Sequence, residues 1–88
     1  MPTYDLELHK KVAKFIDKQP PKLKIRIASA LEKLQENPYR EYFDIKKLKN
    51  LDQDYRLRIG KFRFLYTIFE NRLLIYMYKA DSRGDVYK

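Results

Sequence analysis

With 88 residues, 44% of them hydrophobic and 15% aromatic, the chain suits a single compact domain over 1–88 with one modest core. It contains no cysteine, which excludes disulfides and thiolate metal sites and fits a reducing compartment. The formal charge of +8 is uneven: residues 1–44 carry nine Lys/Arg against seven Asp/Glu, and residues 45–88 carry eleven against five. So basic a second half points to a polyanionic partner, nucleic acid before acidic protein.

The opening stretch "MPTYDLELHKK" holds charges where a signal peptide needs an apolar run, and "FRFLYTIF" and "LLIYMY" are too short to cross a bilayer. A cytoplasmic protein with no membrane partner is the expectation. In "TYDLELH", Tyr4, Leu6 and Leu8 alternate with polar residues, which predicts a first strand. "KKVAKFIDK" places Val12, Phe15 and Ile16 on one helical face, and "QPP" stops that helix at Gln19. Pro21 suits the first turn of a second helix, whose apolar stripe runs through Leu23, Ile27, Ala30, Leu31 and Leu34. "ENP" ends it, because the residue before Pro38 avoids the helical region.

"YREYFD" reads as a loop. "IKKLKNLDQD" holds a short strand and a turn around Asn50 to Asp54. Strands are then predicted at Tyr55–Ile59, Phe62–Phe69 and Leu73–Lys79, separated by "GK" and "ENR". The expected fold is α+β, in the order β-α-α-β-β-β-β, with a helical hairpin packed on one face of a mostly antiparallel curled sheet.

Within "YRLRIGKFRFLY", Gly60-Lys61 suits a two-residue type II′ turn, and a four-residue loop over 59–62 keeps the same pairing. Either way Arg58 faces Arg63, and Arg56, two residues along, joins their face. Like charges directly across two strands repel. Tyr55, Leu57, Ile59, Phe62, Phe64, Tyr66 and Ile68 fall on the other face, which the helices should cover. An even loop within the next turn brings Tyr76 and Tyr78 to the arginine side. Arginines interleaved with aromatics make a surface suited to phosphates and stacked bases. The bland alternative is a solvated sheet face neutralised by Asp52 or Asp54.

The element order, "YRLRIGKFRFLYTI" and the closing "SRGDVY" together resemble the RelE/ParE superfamily of toxins from toxin–antitoxin pairs, over nearly the whole chain. The RelE branch implies a ribosome-dependent endoribonuclease that cleaves mRNA with basic residues and a C-terminal tyrosine, using no metal and no small-molecule cofactor. The resemblance carries over to Arg58, Arg63, Arg83 and Tyr87 as catalytic residues, and to Arg56 and Lys49 as RNA-binding ones. It also implies a cognate antitoxin, RelB-like, acidic and amphipathic, besides the ribosome and its mRNA.

Metal-free cleavage requires the 2′-OH to attack the adjacent phosphate, with charge stabilisation, a base and an acid. The lone His9, at the end of the first strand, reads as a surface or capping residue. Tyr87 is therefore the candidate base, and lowering its pKa by roughly two units takes about 2.7 kcal/mol from neighbouring cations. Lys10, Lys11, Lys14 and Lys18 recur opposite the apolar face of the first helix, as a solvated face or as an attraction to ribosomal RNA. No Gly-rich phosphate loop, Cys/His cluster or Ser-His-Asp set is present. The readings that compete are a ParE-like gyrase-inhibiting toxin and a non-catalytic basic RNA-binding module.

Overall fold

The structure, a computed structural model, describes residues 4–39, 44–48 and 53–82. Strand β1 (Asp5–Leu8) leads into helices α1 (Lys10–Asp17) and α2 (Pro21–Glu36). Strands β2 (Asp44–Lys47), β3 (Asp54–Ile59), β4 (Phe62–Phe69) and β5 (Leu74–Asp81) follow, with a single 3-10 turn, Glu70–Arg72, before β5. They form one sheet in the order β1-β5-β4-β3-β2. Only the β1–β5 pair is parallel, so the sheet is mixed and mostly antiparallel, as expected. No helix among the described residues is long and apolar enough to cross a membrane.

Local sequence explains the boundaries. His9 caps α1, its Nδ1 accepting from the Lys11 N–H at 3.0 Å. Pro21 occupies the first turn of α2, where a missing N–H costs nothing. Asn37, ahead of Pro38, is extended with φ −157°, and the helix stops there. The β3–β4 turn puts Gly60 at φ +58° while Lys61 keeps a negative φ, as a type II′ turn requires. Four residues, 70–73, separate the paired Phe69 and Leu74, and the last of them, Leu73, takes a left-handed conformation.

The core lies between the helices and one face of the sheet. Val12, Ile27, Ala30, Leu31 and Leu34 pack on Leu57, Ile59, Phe62, Phe64, Tyr66, Ile68, Ile75 and Met77. Phe15 sets its ring edgewise on Phe62 and Phe64, with centroids 5.7 and 6.2 Å away. Both helices therefore cover the same side, and the opposite face mixes polar chains with Leu65, Phe69 and Leu74.

Tyr66 is fully buried, and its hydroxyl donates to the Pro38 carbonyl at 2.8 Å. Its ring stacks on Tyr55, 5.8 Å between centroids. That bond ties the end of α2 to the middle of β4. Tyr66→Phe leaves the carbonyl without its donor and should cost about 1–2 kcal/mol in urea unfolding with an unchanged m-value.

Candidate nucleic-acid interface

Residues directly opposite on neighbouring strands share a face, and the register builds this site row by row. Nearest the β3–β4 turn, Arg58 stands opposite Arg63, and Arg63 opposite Asp81. Asp44 lies across from Arg58 in the β2–β3 register. The next row runs Lys46, Arg56, Leu65, Lys79. A third row runs Asp54, Thr67, Tyr76, Glu7. The predicted arginine pairing is therefore present, on the face that no helix covers.

Arg58 is exposed, while Arg56 and Arg63 are half-buried. The Nη1 of Arg63 is buried, and no hydrogen-bond partner reaches it among the described residues. A buried guanidinium nitrogen without an acceptor is costly, so the arrangement favours an anion that can supply one. Leu65 sits amid these cations and is 4% exposed, an apolar floor between Arg56 and Lys79.

Carboxylates also reach this face. Asp52 lies outside the described residues. Asp54 is occupied: Thr67 donates to its Oδ1 at 2.9 Å and Tyr78 to its Oδ2 at 2.6 Å. Asp81 instead stands opposite Arg63. Burial first, and then the bond to Asp54, hold the Tyr78 phenol well above its ordinary range. Tyr78 thus stays neutral and serves as a donor.

Two further cations, Lys46 and Lys79, join this face. Lys46 is legible in "DIKK", where Ile45 turns inward and Lys46 outward. Lys79 is not, because it reaches this face only through an irregularity in the β4–β5 register between Leu65 and Tyr66. Arg26 of α2 brings another charge to the hairpin tip, its Nη1 3.6 Å from where a Cβ on Gly60 would lie.

Other predicted site residues fall elsewhere. Lys10, Lys11 and Lys14 are exposed on α1, which covers the opposite side of the sheet, so they do not join the arginines. Lys49, Arg83 and Tyr87 lie outside the described residues.

A second polar group, at the β4–β5 turn, anchors the sheet's far end. Tyr4 donates to Glu70 at 2.7 Å, and Tyr39 donates to the same carboxylate. The Tyr39 ring meets Tyr55 edgewise at 5.5 Å. The Gln35 side chain holds the Tyr4 carbonyl at 3.0 Å. Burial, then Glu70, pushes the Tyr4 phenol up to about 12 and Tyr39 higher still. Hydrogen bonds from Tyr39 and then Tyr4 lower the Glu70 carboxyl.

The chain is 38% identical over 86 residues to a RelE1 toxin of Methanocaldococcus jannaschii, spanning 97% of this chain and 96% of that one. Its fold matches a chain of the archaeal RelE–RelB complex of Pyrococcus horikoshii, with a TM-score of 0.82 and 30% identity over 94% of this chain and 98% of that one. The RelBE2 complex of Mycobacterium tuberculosis gives a TM-score of 0.75 at 22% identity, covering 94% of this chain and all 100% of its match, a likeness of fold. No protein-family model matches the chain.

The tyrosine–Glu70 bonds give a pH prediction with opposite signs at its two ends. Tyr4, raised, adds stability that is intact below the unfolded value near 10 and lost as pH climbs through about 12. Glu70, lowered, adds stability present above the ordinary value of 4.5 and lost on acidification below it. In Glu70→Gln, the Tyr4 phenolate should appear at lower pH, though still above the ordinary value because burial is the larger cause. Phenolate absorbance, with Tyr4→Phe subtracted, checks it.

Proposed function

This chain belongs to the RelE family of toxins, and we propose that it is the toxin of a toxin–antitoxin pair that cuts mRNA on the ribosome by 2′-OH transesterification. The observation that supports this most is the Arg58–Arg63 pair, set opposite each other on the uncovered face, with Arg63 Nη1 buried and lacking an acceptor among the described residues.

In this reading the scissile phosphate lies against Arg58 and Arg63, which neutralise the charge that develops on its oxygens. Tyr87 takes the proton from the 2′-OH. The oxygen then attacks phosphorus, a 2′,3′-cyclic phosphate forms, and the 5′ oxygen leaves with a proton delivered by Arg83 directly or through water. No metal ion is called on. Lys49 and Arg56 hold flanking phosphates, with Lys46 and Lys79 beside them. Tyr78 is no rival for the base, since its phenol is pushed further from ionisation and is already committed to Asp54.

Lys10, Lys11 and Lys14, across the sheet from the arginines, engage ribosomal RNA while the arginine face holds the message. Phosphate contacts of that kind position a protein without reading sequence. The silencing partner is a RelB-like antitoxin, whose acidic, amphipathic segment covers the cationic face.

Induced expression in cells tests this. Wild type and Tyr78→Phe should arrest growth and produce codon-phased mRNA 5′ ends. Arg63→Ala and Tyr87→Phe should each lose about a hundredfold or more in cleavage and relieve the arrest. Arrest with intact message and blocked supercoiling would move the chain to gyrase inhibition.

A further inference from the structure

The end of the arginine face away from the β3–β4 turn has a different chemistry. Tyr76 stands opposite Thr67, and the rings of Tyr76 and Tyr78 lie 6.5 Å apart, inclined by 31°. Both are half-buried, so their ring surfaces are held yet accessible. Alternation along β5 puts them there, and an irregularity in the register follows. Met77 pairs with Tyr66 but Lys79 with Leu65, leaving Tyr78 as an extra residue in β5. Bulges of this kind re-aim side chains. Here the effect is double: Lys79 turns toward the cations, and the Tyr78 hydroxyl reaches Asp54.

Charge varies along the face: cations gather nearer the turn, although Asp44 and Asp81 hold register positions among them. Lys46, Arg56, Arg58, Arg63 and Lys79 occupy the rows nearer the turn. Around the tyrosines stand Asp54, Glu7 opposite Tyr76, and Asp5 opposite Leu74. Carboxylates repel phosphates but not the face of an uncharged base. Thr67 is four residues along β4 from Arg63, about 13 Å at the usual rise of a strand. A short step along an extended nucleotide strand covers that span.

We propose that Tyr76 and Tyr78 form a stacking subsite for a base of single-stranded RNA whose backbone lies on the arginine rows, with Asp54 as the positioning residue that holds Tyr78. The subsite rests on the reading of this face as the RNA-binding one and adds to it a place for a base, distinct from the place for the scissile phosphate. Stacking needs a ring and is indifferent to the Tyr76 hydroxyl, which separates it from hydrogen-bonded recognition.

The test uses the full chain and short 2′-O-methyl RNA, which lacks the attacking hydroxyl and stays intact. An abasic site is walked along the oligonucleotide and affinity is measured at each position. Wild type and Tyr76→Phe should lose about tenfold at one position and little elsewhere, the range that base–aromatic stacking provides. Tyr76→Leu, which keeps apolar bulk, should bind the intact strand about tenfold more weakly and show no further loss at that position. Arg63→Ala should weaken every oligonucleotide alike and keep the abasic penalty. A wild type indifferent to abasic sites everywhere, or a Tyr76→Leu that retains the penalty, overturns the subsite. If binding still depends on Arg63, that failure leaves the nuclease reading intact; if it does not, both fall.

Discussion

Two arginines held at directly opposite positions across one antiparallel pair are the constraint around which this molecule is organised. Arg58 and Arg63 cannot separate, because the two-residue turn fixes their register and the core residues on the other side of the same strands hold it. A slip by one residue would carry Leu57, Phe64 and Tyr66 to solvent. Burial of the apolar face therefore enforces repulsion on the polar one. Asp81 holds the register position opposite Arg63, yet Arg63 Nη1 remains buried without an acceptor among the described residues. Sites that bind charge commonly carry such local destabilisation.

The helices make the arrangement usable. By packing on one side alone, they leave the other face continuous from the hairpin tip to the β4–β5 turn. At the tip, Gly60 supplies the positive φ, and Arg26 lies over it. At the far end, Tyr4, Tyr39 and Glu70 fasten β1, the segment after α2 and the turn into β5. Between these anchors the surface runs from cationic to aromatic and acidic. That gradient suits a strand whose phosphates and bases need different surroundings.

Much of this was legible in the residues because it depends on local rules. Alternation in "YRLRIGKFRFLY" and the glycine turn together set the Arg58–Arg63 register. The residue before Pro38 ended α2, and His9 became a cap. What escaped depends on relations between strands far apart in sequence. The irregularity in the β4–β5 register that turns Lys79 outward has no mark in "LLIYMYKA". Asp81 opposite Arg63 requires that register as well, whereas Asp54 lies on the arginine face as the sequence suggests and also accepts from Thr67 and Tyr78. The parallel β1–β5 pair likewise follows from how the helical hairpin returns the chain, which periodicity within one segment cannot express.

The most direct measurement is the equilibrium stability of Arg63→Met against wild type, with and without 2′-O-methyl RNA. Methionine keeps the apolar stem and removes the buried charge. Without RNA, the variant should be as stable as wild type or up to about 2 kcal/mol more stable. Added RNA should then raise the unfolding midpoint of wild type far more than that of the variant. A variant that loses more than about 1 kcal/mol without RNA, and gains from RNA as much as wild type does, would show Arg63 to be part of the scaffold and would contradict the account.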